Sequence, residues 1–111
     1  MTGRFAWSFR QGDDTHIMFR FVDGEGEPVE LADSYRMMLR QHDSVASPPT
    51  AAQVAVEDHT DLGTVVVARL DADTTRGIVW RSGLAALKAV TAGAEQTVLE
   101  GDVTVRPEFT P

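Results

Sequence analysis

"RFAWSFR", residues 4–10, decides how the chain is read. Phe5, Trp7 and Phe9 recur at every second position, and Arg4, Ala6, Ser8 and Arg10 stand between them. Apolar side chains at period two mark a strand with one buried and one solvated face. The same rhythm returns in "THIMFRFV", with Ile17, Phe19 and Phe21 inward and His16, Met18, Arg20 and Val22 opposite. "SYRMMLRQ" repeats it, placing Tyr35, Met37 and Leu39 on one face and Arg36, Met38 and Arg40 on the other.

Between the second and third of these runs lies "FVDGEGEPVEL", residues 21–31. Asp23-Gly24 and Glu25-Gly26 are turn dipeptides, because glycine accepts positive φ without penalty. A calcium loop starting at Asp23 would need glycine at position six and glutamate at position twelve; Pro28 and Ser34 stand there. The stretch is therefore expected to be a plain turn with solvated acids.

Further on, "HDSVASPPTA" is expected to be a loop, since Pro48-Pro49 cannot donate to a ladder. "AAQVAVED" and "GTVVVARL" predict two more strands joined by the polar turn "DHTDLG". "LDADTTRGI" predicts one helical turn, capped by Asp71 and stopped by Gly77. "GLAALKAVT" sits between strand-like runs and is assigned as a strand, with the helix propensity of Leu, Ala and Lys weighing against it. "AGAEQ" predicts a turn. "TVLEGDVTVRP" predicts the closing strand, with Gly101 marking a bulge and Pro107 and Pro111 ending regular pairing. About seven strands at roughly 8–12-residue intervals are the signature of a β-sandwich or barrel. The expected fold is all-β, one domain over residues 1–111, with a short tail from 106 to 111.

The chain of 111 residues, 42% apolar with two Trp and five Phe, is long enough to bury a core without staples. It has no cysteine, so disulfides and thiolate zinc sites are excluded. No apolar run approaches the roughly 20 residues of a membrane helix. "MTGRFAWSFRQGDD" lacks the apolar segment of a secretory signal, so synthesis in the cytoplasm is expected. The net charge is −7, and the ten basic residues are scattered along the sequence, which argues against a nucleic-acid partner.

Catalytic motifs are missing. His16, His42 and His59 do not have the spacing of a helix-borne zinc site, and turn or surface positions are expected for all three. Ser8, Ser34, Ser44, Ser47 and Ser82 form no nucleophile elbow. The paired acids Asp13-Asp14, Glu57-Asp58 and Asp71/Asp73 fall at strand ends and turns, where solvation explains them. No catalytic residue, cofactor or metal site is expected. Trp7 shares a face with Phe5 and Phe9 and is assigned to the core. Trp80 with Arg81 is the first candidate for a contact surface, since aromatics and arginine are favoured at interface centres.

"RQGDDTHIMFRFVDGEGEPVEL" followed by "YRMMLR" resembles a phage virion module: the immunoglobulin-like domain at the N-terminus of upper baseplate proteins and in related small tail and head proteins. The resemblance rests on Arg10, Gly12, Asp13, Asp23, Gly26, Pro28, Leu31, Arg36, Met37 and Arg40. It continues through a Gly-led strand from Gly63 to Leu70, a turn from Asp71 to Thr75, and "LEGDVTVRPEFT" from Leu99 to Thr110. The family's aromatic-acidic pair in the penultimate strand is replaced here by "AALKAV". The resemblance implies an immunoglobulin-like sandwich and a non-enzymatic structural protein of the particle, either a tail or baseplate component or a capsid decoration or minor capsid protein. Its partners would be other virion proteins and copies of itself, with no membrane. In that role Phe109, in the tail, would anchor the chain on a neighbour. The alternative is a carbohydrate- or ligand-binding β-module, for which only Tyr35 and Trp80 are candidate platform aromatics; an enzyme ranks third.

Overall fold

A computed structural model describes residues 3–27, 31–41, 49–59 and 63–108. Seven strands and one short helix follow in the order β1 (Gly3–Arg10), β2 (Thr15–Phe19), β3 (Ser34–Gln41), β4 (Thr50–His59), β5 (Gly63–Leu70), α1 (Ala72–Arg76), β6 (Ser82–Thr91) and β7 (Ala94–Arg106). The strands hydrogen-bond in the order β1-β7-β6-β3-β4-β5-β2. β1 runs parallel to β7, and the other neighbours are antiparallel.

This ribbon folds over on itself at β4. Thr50–Ala52 pair with β3, and Gln53–His59 pair with β5, so one strand belongs to both layers. One layer holds β2, β5 and most of β4. The other holds β3, β6 and β7, with β1 on its edge. That division is the one of an immunoglobulin-like sandwich. Where the ribbon's two ends meet, side chains close the seam instead of a ladder. Phe5 of β1 packs edge-on against Phe19 of β2 with ring centres 5.1 Å apart, and the Trp7 indole N–H donates to Thr15 Oγ1 at 3.1 Å. The fold is all-β and sandwich-like, nearly closed into a barrel, as the alternation predicted.

The inward faces are those read from the sequence. Trp7, Phe9, Phe19, Met37, Leu39, Leu87, Val103 and Val105 are buried in one core, and Phe5, Ile17, Phe21 and Tyr35 pack against it. β6 is a central strand despite its helix formers. Its inward positions Gly83, Ala85 and Leu87 are buried between β3 and β7. Tertiary pairing decides there, which propensity alone does not foresee.

Gly101 does not mark the bulge. The register shifts between Leu87 and Lys88, so Val98 is the extra residue. Gly101 lies under Phe5 instead: a Cβ there would come within 2.6 Å of the ring and of the Phe5 carbonyl. The glycine lets β1 lie close on β7. The β6–β7 hairpin turns on Ala92 and Gly93, both at positive φ (52° and 82°), the conformation of a two-residue type I′ loop. Helix α1 is capped as expected. Asp71 accepts from Thr74 N at 2.7 Å, and Gly77 ends the helix with ordinary negative φ.

The stretch from Asp23 to Glu27 is a turn built by its own aspartate. Asp23 Oδ1 accepts from the Glu25 and Glu27 amides at 2.9 and 3.0 Å, and its carbonyl accepts from Gly26 N at 3.1 Å. Pro28 and residues 42–48 of the expected 42–51 loop, with His42, lie outside the described residues, and the end of that expected loop is corrected: Thr50 and Ala51 already pair with β3 as the start of β4.

Candidate functional site

In the sequence the ten cations look scattered; the fold gathers six of them. Along β1, β7, β6 and β3 the inward phase belongs to the core, so the outward phase makes one continuous face. Register places its residues in rows. Ala51, Met38, Ala86, Glu100 and Arg4 form one row, and Arg40, Leu84, Asp102 and Ala6 form the next. Arg36 stands beside Lys88, and Arg10 beside Arg106. Cations Arg4, Arg10, Arg36, Arg40, Lys88 and Arg106 thus face acids Glu95, Glu100 and Asp102. This face is cationic on a chain whose net charge is −7.

The three acids are all engaged. Arg4 lies 3.8 Å from Glu100 and 3.5 Å from Asp102, and Arg36 bonds Glu95 at 2.6 Å. Arg40 and Lys88 have no such partner among the described residues. They flank a hollow of about 400 Å³ floored by Met38, Leu84, Ala85 and Ala86, with Pro49 and Glu100 at its rim. Leu84 is 43% exposed there. The hollow is aliphatic and rimmed by cations, which suits an anionic surface with no need of a bound metal or a reactive group.

The residues singled out from the sequence lie elsewhere. Trp80 is half-buried and packs on Gly83, where a Cβ would meet its ring at 2.6 Å. It is thus part of the fold's own packing. Arg81 is exposed; its guanidinium donates to Val79 O at 3.4 Å, and its carbonyl accepts from Val105 N at 2.9 Å. Phe109 lies outside the described residues. The part of the tail that is described docks on the chain itself. Arg106 still belongs to β7, and the Glu108 carboxylate bonds Arg76 of α1 at 3.2 Å. That pairing raises Arg76 further above its ordinary value.

His16 is exposed on β2, and His59 ends β4. Near His16 a hollow of about 300 Å³ includes Asp14, Arg69 and Asp71. Both carboxylates there are committed to α1: Asp14 accepts from Ala72 N at 2.7 Å and Asp71 from Thr74 N. No group of three His, Asp or Glu side chains suited to a metal ion occurs among the described residues.

A second arrangement is structural. Thr75 is the one buried polar residue among those described. Its hydroxyl accepts from Gly12 N at 3.0 Å and donates to Asp13 O at 2.9 Å. Gln11 reaches the Arg76 and Ile78 carbonyls at 3.1 and 2.9 Å. The turn after β1 is thereby locked to α1. Sequence reasoning missed the cationic face, because its members come from four strands and only the register brings them together. The chain matches no protein-family model and no curated protein.

Proposed function

We propose that this chain is a non-enzymatic structural protein of a bacteriophage particle, a tail or baseplate component or a minor capsid or decoration protein. It is made in the host cytoplasm and works in the virion through contacts with other virion proteins and with its own copies. The observation that supports this reading is the joint at Thr75. The segment Arg10-Gly12-Asp13 and the turn Asp71–Thr75, both carrying the resemblance to the virion module, lie about 60 residues apart in sequence and meet through the Gly12–Thr75–Asp13 hydrogen bonds. These motif residues hold a rigid scaffold together. Their polar groups are spent on the protein itself, which fits an assembly module better than a reactive site.

The ligand-binding alternative needs a free aromatic platform. Tyr35 stacks on Phe21 with centres 5.8 Å apart and takes Ala32 N on its hydroxyl. Trp80 lies on Gly83. Both rings give a face to the fold, so this reading is the weaker one. Mass spectrometry of purified particles, from the phage whose genome carries the sequence, tests the proposal. Tens of copies per particle are expected for a tail protein and hundreds for a capsid protein. Absence from the particle, or turnover of a small metabolite by the purified chain, would overturn it.

A further inference from the structure

We infer that the cationic outer face of the β1-β7-β6-β3 layer docks the Asp23–Glu27 turn of a second copy, with Arg40 and Lys88 meeting Glu25 and Glu27. This inference shares with the reading above only the premise that the exterior works by assembly.

The face has a polarity that its described residues do not balance. Its acids are taken by Arg4 and Arg36, which leaves Arg40 and Lys88 on either side of the aliphatic hollow. The occupant must therefore supply carboxylates. Most acidic side chains described already bond a cation, a cap or a hydroxyl. Glu25 and Glu27 do neither, and they stand two residues apart on one projecting turn. A Cβ built on Gly24 or Gly26 would meet nothing within 4 Å, so the tip stands clear of its own molecule.

The turn is also suited to an apolar floor. An amide laid on aliphatic surface loses water and costs free energy unless it is already bonded. The Glu25, Gly26 and Glu27 amides are all bonded to Asp23. The tip thus presents a narrow backbone with satisfied donors and two exposed glutamates. A second copy carries this surface at the same concentration as the face. A two-fold face-to-face contact would instead set two cationic faces together. The contact between turn and face is therefore heterologous: a joined pair still has one free face and one free turn between its two copies, and the assembly grows into a ring or an open row.

Sedimentation velocity on the purified full chain tests this. At low ionic strength the sedimentation coefficient is expected to rise with concentration. In about 1 M salt, where the screening length is roughly 3 Å, it is expected to return to the monomer value. The double reversal Arg40→Glu/Lys88→Glu weakens association by at least about tenfold, and so does Glu25→Lys/Glu27→Lys. Unchanged circular dichroism and Tm show that both variants fold. Mixing the two variants at equal amounts restores association, because each then offers the charge the other lacks. A wild type that stays monomeric at low salt overturns the inference. So does a mixture that fails to associate, or a face that retains a short DNA duplex while the chain itself does not self-associate. Absence of the chain from phage particles would sink the virion reading and leave these results standing.

Discussion

The two layers of this sandwich treat their outer apolar residues in opposite ways. On the outer face of β5, Val65 and Val67 are fully buried although they point away from the core cluster. Arg69, two residues on from Val67 along β5, and Glu57 of β4 stand diagonally across from each other, and their bidentate ion pair spans the row of Met18, Val67 and Ala55. Long charged side chains can lay their stems on apolar surface while their heads reach water, and this pair keeps its heads partly exposed above a buried valine. On the outer face of β6, Leu84 and Ala86 have cations of similar length beside them, yet Arg40 and Lys88 make no ion pair among the described residues, and the nearby Glu100 and Asp102 are taken by Arg4. The hollow stays open. Val67 is thus enclosed where opposite charges pair across it, although Met18 beside it is 41% exposed, and Leu84 is left available where the two rim cations make no ion pair among the described residues.

The largest effect is expected when the same side chain is placed in both rows. Val67→Lys puts a cation beside Arg69 in a site without water and is expected to cost about 3 kcal/mol, on the scale of a buried unpaired polar group. Leu84→Lys puts it in a solvated hollow opposite Asp102 and is expected to stay within about 0.5 kcal/mol of wild type. Urea unfolding of both variants measures this. Equal losses would mean that the two faces are not different.

Thr75 gives the next largest effect. Thr75→Val keeps the shape and leaves Gly12 N–H without its acceptor and Asp13 C=O without its donor. The expected loss is about 1 kcal/mol, since the two groups left over are only partly buried and water reaches them in part. Ser at the same position retains the hydroxyl and is expected to recover most of that loss. Urea midpoints with unchanged slope would confirm that the joint alone is affected.

How much of this was visible in the sequence follows from range. The strands of β1, β2 and β3 were legible because period two is a local pattern, written in Phe5-Trp7-Phe9 and Tyr35-Met37-Leu39. The cap of α1 was legible because Asp71 acts three residues away. Gly101 was misplaced because a glycine in a strand signals either a bulge or a close approach, and only the parallel β1–β7 register puts Phe5 above it. That pairing joins the two ends of the chain and leaves no local trace. The candidate face was hidden for the same reason. Arg40 and Lys88 are 48 positions apart by number and come to one face, on either side of one hollow, only through the β3–β6 ladder. Trp80 looked like a contact residue since a large aromatic beside a turn is often exposed; Gly83, three positions on, is what its ring fills.

A smaller effect sharpens the comparison through salt. Glu57→Gln removes the carboxylate that holds Arg69 above its ordinary value, by hydrogen bond first and charge second. A modest fall in Tm at low ionic strength is expected, and it shrinks in about 1 M salt as the pair is screened. Arg40→Gln, beside the open hollow, is expected to leave Tm unchanged at both ionic strengths. If both variants behaved alike, the pairing across Val67 would not be what sets that site apart from the hollow.

The least effect is expected in acid. The Thr74 hydroxyl, and after it the Thr74 amide, hold the Asp71 carboxyl below its ordinary value of 3.8. A depressed value in the folded state means that the contribution is present in full above the unfolded-state value. It is lost as pH falls through the folded-state value. Asp71→Asn still caps α1 but cannot titrate. The Tm difference between wild type and Asp71→Asn is therefore expected to be constant from neutral pH down to about 5, and to narrow below about 3.8 as the wild type protonates. A difference that does not change with pH would mean that the aspartate acts at the helix end through its shape alone and that its charge adds nothing to the closed side of the molecule.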